Sequence, residues 1–365
     1  MTALHHVSRS SAALQHALSP QSWRGALRAD FRGASLGAPL RVGLAMAVVF
    51  VVGGLAHLHD LAGFAALGAL VSAFCRPDPY PVRQGRLLVL AAGITASVGA
   101  GAALGAAALP FAVDVVAISL LAGAAAYLMW ALHIVGPGAV VFVFAAVGAQ
   151  GAAGSAGDVV RLTGMTVGGA VIGVAAAMAP WWLSGRREAN PPAAQRESLI
   201  STLARAPHAT LAARGLRIAC AGALGAAVAA SLGFDHPMWA AMGAVATMQG
   251  VGYRMTVHRG AQRLLGNIGG AAVAAVLLTL PLGYWGAVAA IIVFQIAAEV
   301  CAGVNYALTS LAVTPMALLL TGLGAGLAPG VAVDRIADTA IGIVVGIAVA
   351  AVAITSAEHR SLTAG

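Results

Sequence analysis

Lysine is absent from this chain of 365 residues, and charge of either sign is scarce, with Asp, Glu, Lys and Arg together making 9%. A soluble domain carries about 25% charged residues. A water-facing surface cannot be built from so few, which excludes a soluble enzyme. Cysteine is scarce too: Cys75, Cys220 and Cys301 lie far apart in apolar surroundings, a spacing that suits neither a metal site nor a redox pair. They read as small membrane-core residues. The first 39 residues hold no long apolar run, so the first span is expected to insert without a cleaved leader. No nucleophile elbow, P-loop or zinc spacing occurs. No enzyme activity, cofactor or metal is expected.

What is present is apolar. Hydrophobic residues make 60% of the chain and glycine contributes 46 positions, the composition of a polytopic membrane protein with closely packed helices. The net charge of +8 rests entirely on arginine. Its placement says more than its sum, and nucleic acid is not implied. Apolar runs between charge and Gly/Pro punctuation give twelve candidate spans: 40–57, 61–75, 86–108, 113–132, 138–152, 159–183, 215–232, 237–251, 262–280, 285–303, 306–322 and 332–355. Three of them, 61–75, 138–152 and 237–251, fall short of the ~20 residues a crossing needs.

The chain repeats itself at a separation of about 175 residues. Leu40-Arg41-Val42 answers to Leu216-Arg217-Ile218, and Asp60 with Phe64-Ala65-Ala66-Leu67-Gly68-Ala69 to Asp235 with Trp239-Ala240-Ala241-Met242-Gly243-Ala244. Arg86-Leu87-Leu88 answers to Arg263-Leu264-Leu265, Leu109-Pro110 to Leu280-Pro281, and Asp158, Arg161 and Gly168 to Asp334, Arg335 and Gly342. The predicted fold is all-α, with about twelve transmembrane helices as two parallel six-helix repeats at 40–183 and 214–356. An even number of spans per repeat places the relating axis along the membrane normal. The rest is a tail at 1–39, a linker at 184–213 and a tail at 357–365. In the first tail, Trp23, Leu27 and Phe31 recur beside Arg24, Arg28 and Arg32, which predicts an amphipathic helix over 20–34 lying on the headgroups. A second lead-in helix is expected around Leu199, Leu203 and Leu211.

With alternating spans, the two tails, the linker and the 75–86 and 252–263 loops share one side. All the arginines but Arg161 and Arg335 fall there, while Asp60, Asp114, Asp158, Asp235, Asp334 and Asp338 fall opposite. The positive-inside rule then puts both termini and the linker in the cytoplasm.

Two constellations bear on chemistry. Arg83 and Arg86 close the proline-studded 76–86 loop, and His258, Arg259 and Arg263 close the 253–263 loop. Each arginine pair is spaced for one helix face and sits at a helix start. Together they would form an electropositive vestibule for a small organic anion; orientation anchoring explains the same charges without a substrate. Glu299 is the carboxylate placed well inside a span, with Gln295 one turn earlier and Asn305 and Tyr306 at the following turn. An intramembrane acid faces a cavity or a partner, so Glu299 is a candidate proton carrier, or else glues helices. Thr314-Pro315 offers a kink. Helix capping accounts for Asp60 and Asp235, and capping with a local ion pair for the Asp158/Arg161 and Asp334/Arg335 pairs.

The order of features in the second half resembles the fusaric acid resistance/aromatic acid exporter superfamily. The matching residues are Asp235-His236-Pro237-x-Trp239-Ala240, Thr256 through Arg263, Gly266-Asn267-x-Gly269-Gly270, Asn305-Tyr306, Thr314-Pro315, and Arg335-x3-Thr339-x2-Gly342-x3-Gly346. Counting both repeats, the resemblance covers about 40–355. It implies a bacterial plasma-membrane protein exporting aromatic or other organic anions on the proton gradient. Plant aluminium-activated malate transporters look distantly similar, which implies a passive anion channel as an alternative. A non-transporting scaffold for an envelope enzyme is a third reading. The partners expected are the lipid bilayer and a small organic anion.

Overall fold

The computed structural model describes residues 2–184, 198–250, 252–325 and 330–363. Linker residues 185–197, with Arg186, Arg187 and Arg196, lie outside the described residues, as does the end of the second tail. Among the described residues every regular element is helical. The chain opens with α1 (Thr2–Leu18), α2 (Pro20–Ala26) and a 3-10 turn at Phe31–Gly33. Then come α3 (Gly37–Leu55), α4 (His59–Ala69, prolonged as a 3-10 turn to Ala73), α5 (Tyr80–Ala107), α6 (Phe111–Ala131), α7 (Val140–Ala152) and α8 (Ala156–Ser184). The short α9 (Leu199–Ala204) leads to α10 (His208–Ser231), α11 (Pro237–Met248), α12 (Tyr253–Thr279), α13 (Gly283–Cys301), α14 (Tyr306–Ala325), α15 (Val331–Val352) and α16 (Ser356–Thr363).

Nine of the described helices are long and apolar enough to cross a membrane: α3, α5, α6, α8, α10, α12, α13, α14 and α15. The other three candidate spans are short helices. α7 and α11 have 13 and 12 residues, which at 1.5 Å per residue reach about 20 Å, against a hydrocarbon core of about 30 Å.

Two borders fall earlier than the apolar runs predict. α5 begins at Tyr80 and α12 at Tyr253, so Arg83, Arg86, Arg259 and Arg263 stand on helices, one to three turns in. For α5 the reason is Pro81, which occupies the first turn, where a missing N–H costs nothing; the prolines thus start a helix where an extended loop was expected. The predicted helix over 20–34 is likewise broken. α2 stops at Ala26, and Asp30 caps the 3-10 turn through the Arg32 amide (3.0 Å). Trp23, Leu27 and Phe31 remain exposed, as a surface lying against headgroups would be.

Packing follows one scheme twice. α4 lies on α8 and α11 on α15; α5 lies between α7 and α8, and α12 between α14 and α15. Helices α3–α8 meet α10–α15 through α3 on α13 and α6 on α10, and through α4 on α14 and α7 on α11. Glycine sets the closest of these approaches. A Cβ on Gly169 of α8 would run into the Ala65 carbonyl of α4, and one on Gly342 of α15 into the Ala240 carbonyl of α11. The neighbouring Gly168 faces open space.

That contrast is testable. Gly169→Val and Gly342→Val are expected to cost about 3 kcal/mol or more by forcing backbone apart, and to lower the melting temperature in detergent or abolish the monodisperse species. Gly168→Val is expected to leave the melting curve close to wild type.

Candidate functional site

Where α4, α7, α13 and α14 converge they leave a cavity of about 390 Å³, within the range of small-molecule sites. Its two sides differ in chemistry. Leu67, Leu70, Val140, Val141 and Phe144, from α4 and α7, make an apolar wall, which Met242 of α11 and Val313, Met316 and Leu320 of α14 extend. Arg259 and Arg263 of α12, Gln295 and Glu299 of α13, Tyr306 of α14 and Arg335 of α15 make a polar one. Arg76, in the connection before α5, reaches across from the first side.

The α12 arginines are one helical turn apart and share a partner. Arg263 donates to the Tyr306 hydroxyl (3.1 Å), while the Arg259 guanidinium stacks 4.2 Å over the Tyr306 ring. Arg259 also donates to the Ala246 carbonyl (3.4 Å). None of these partners is an anion. Glu299, among the described lining residues the only carboxylate, forms an ion pair with Arg76 and accepts from the Gln295 amide (2.8 Å). Arg76 donates as well to the Glu299 backbone carbonyl (3.3 Å). This links the connection before α5 to α13 through a half-buried charge pair. The cavity is therefore strongly electropositive in a low-dielectric setting, where cations call for anionic partners.

At the other end of the polar wall, the Arg335 guanidinium lies 4.8 Å over the Trp239 ring, and Trp239 stacks on His236 at 4.2 Å. Sequence spacing suggests a capping ion pair of Arg335 with Asp334; the structure instead turns Arg335 inward, over Trp239 and into the cavity wall. One turn on, Asp338 is fully buried. Asn267 holds this end together, donating to the Arg335 carbonyl (3.0 Å) and sharing its oxygen with the Thr314 hydroxyl (3.1 Å).

The remaining candidates lie elsewhere. Arg83 is buried, but it donates to the carbonyls of Cys75 (2.9 Å) and Arg76 and lies over the Tyr80 ring. It shapes the turn that presents Arg76. Arg86 pairs with Asp78 (2.8 Å). Neither lines the cavity, so the two arginine pairs do not form one vestibule. Cys75 sits in the same turn, and burial, with Asp78 beside it, pushes its thiol up to about 12. His258 faces Gly25 of α2. Asn305 donates to the carbonyls of Ala26 (3.1 Å) and Arg28 (2.7 Å) and accepts from the Ala307 amide (2.7 Å), so it starts α14 and pins the N-terminal segment.

Sequence reasoning missed Arg76, Arg335 and Asp338. For the last two a signal existed. Arg335, Asp338, Thr339, Gly342 and Gly346 fall on one face of α15, and a face carrying packed glycines is an inward one.

Residues 222–349, from α10 to near the end of α15, match the family described as fusaric acid resistance protein-like. The matched segment holds the polar wall and leaves Arg76 outside. No curated protein and no solved structure gives a match.

Removing one partner of a buried pair strands the other charge. Arg76→Ala is expected to destabilise the protein by about 2 kcal/mol, since Arg76 is a quarter exposed. Adding Glu299→Gln to it should recover most of the loss. A double-mutant cycle on melting temperatures in detergent measures this; additive effects would show that the pair contributes nothing.

Proposed function

We propose that this membrane protein, fusaric acid resistance protein-like over residues 222–349, is a secondary transporter that exports aromatic or other organic anions across a bacterial plasma membrane. The observation that carries the reading is the two-sided cavity: a guanidinium-rich wall for a carboxylate facing an apolar wall for the rest of the molecule. Arg259 and Arg263, gathered on Tyr306, are the primary anion contacts. Glu299, itself bound by the Gln295 amide, holds Arg76, so that the anion site spans both groups of six helices.

The recurring helix pairs support an architecture of two six-helix repeats, and the seat of the cavity between them suits alternating access, in which one repeat rocks against the other around a fixed site. The arginine distribution supports cytoplasmic termini. The cavity would then collect its anion from the cytoplasm. An intramembrane enzyme has less support, since the polar wall offers cations and amides without a nucleophile–base pair.

The test is efflux from proteoliposomes loaded with a panel of aromatic acids, with and without an imposed pH gradient. Arg259→Ala combined with Arg263→Ala is expected to cut efflux at least about tenfold, the worth of one lost charged contact, while insertion and melting stay close to wild type. Unchanged efflux kinetics in that double variant would sink the assignment. Gradient-independent flux at channel rates would favour a passive pore along the axis between the repeats. No flux for any acid, with a soluble protein that co-purifies in fixed ratio, would favour a scaffold.

A further inference from the structure

Asp338 stands in the third turn of α15 with no exposed surface. Among the described residues neither of its carboxylate oxygens has a hydrogen-bond partner. The Thr339 hydroxyl next to it and Nδ1 of His236 lack partners as well. An ionised carboxylate so placed, without a hydrogen-bond donor, would cost several kcal/mol. The neutral acid would not, so this arrangement is that of a protonated Asp338.

The cation able to satisfy it is close at hand. Arg335 is three residues back on the same helix, near enough for side chains to meet. Its guanidinium is instead laid over Trp239 and lines the cavity, and its Nε is buried without a partner. The charged groups acting on Asp338 are Arg335 and Asp334 of α15 and Asp235 before α11. His236 reaches the region from the α10–α11 connection through its stack on Trp239, and Arg263 of α12 acts on Arg335. The two further carboxylates oppose a third negative charge there, and the one neighbouring arginine is shared with the cavity.

We propose that Asp338 is a proton-binding site linked to the anion site through Arg335. With Asp338 protonated, Arg335 is left to the cavity and strengthens its hold on an anion. When Asp338 loses its proton, the carboxylate draws Arg335 away from Trp239 and the cavity loses a cation. Proton and anion therefore bind together, and each raises the affinity of the site for the other. The inference rests on the organic-anion reading of the cavity and adds to it the proton site and the sign of the coupling.

The sign fixes the pH dependence. Anion affinity is full at pH values where Asp338 stays protonated and falls by up to about tenfold per pH unit once the anion-free protein releases that proton. The experiment uses the full-length protein in detergent with benzoate as probe. Calorimetry gives affinity from pH 5 to pH 9, and infrared spectroscopy follows the carboxylic C=O band of a protonated acid with and without benzoate. Asp338→Asn, an uncharged isostere, is expected to remove that band, to keep benzoate binding and to flatten its pH dependence. In the wild type, benzoate should move the band's titration midpoint to higher pH, a readout that needs no variant to fold. Benzoate binding with an unmoved midpoint, or an Asp338→Asn protein that keeps the wild-type slope, overturns the linkage and leaves the cavity assignment standing. No benzoate binding at any pH overturns both.

Discussion

A guanidinium group carried into a bundle of apolar helices keeps its charge, and the bundle must supply acceptors or an anion for it. The second half of this protein takes several arginines into such surroundings, and the neighbours it gives them are largely uncharged: a tyrosine hydroxyl and ring, a tryptophan face, backbone carbonyls. Rings and carbonyls orient a cation without neutralising it. The outcome is a set of arginines held in place with charge to spare. A cavity whose arginines were each matched by a carboxylate would be closed by its own ion pairs; arginines on aromatic supports keep charge available for a negatively charged solute. Glu299 is the exception, and its carboxylate is used to hold Arg76 at the seam.

Much of the scaffold could be read from the chain. Helical content followed from the apolar runs, and the three short segments were identifiable by counting residues against bilayer thickness. The borders of α5 and α12 were less accessible, because both helices begin well before their continuous apolar runs, in arginine-bearing turns. Long arginine side chains can extend a membrane helix toward the headgroups, so hydropathy alone ends such helices too soon. Pro79 and Pro81 pulled the reading the wrong way, since alternating prolines suit an extended loop as well as a helix start.

The site was legible only in its second-half part. Arg83 and Arg86 carry nearly the same spacing as Arg259 and Arg263, and no local pattern distinguishes them. What separates them is tertiary: Asp78 lies within reach of Arg86, the turn carbonyls lie within reach of Arg83, and Tyr306 is brought to Arg259 and Arg263 from another helix. Arg76 looked like one more basic loop residue because its partner is more than 200 positions away. Asp338 and Arg335 could have been found from the glycine-bearing face they share, yet their place near a helix start made capping the simpler explanation.

The N-terminal segment is fastened to the bundle in a particular way. Tyr253, Gln262 and Asn305 all donate to backbone carbonyls, those of Ala13, Ala26 and Arg28, and the Asp30 amide donates to the carbonyl of Val304. On the segment's side these bonds are made by peptide groups and not by side chains. Drift in the amino acids of that stretch would leave the attachment whole so long as the backbone path is kept, whereas a single insertion or deletion between Ala13 and Asp30 would put every carbonyl out of register with its donor. Among related chains, constancy of length there would carry more information than constancy of residues.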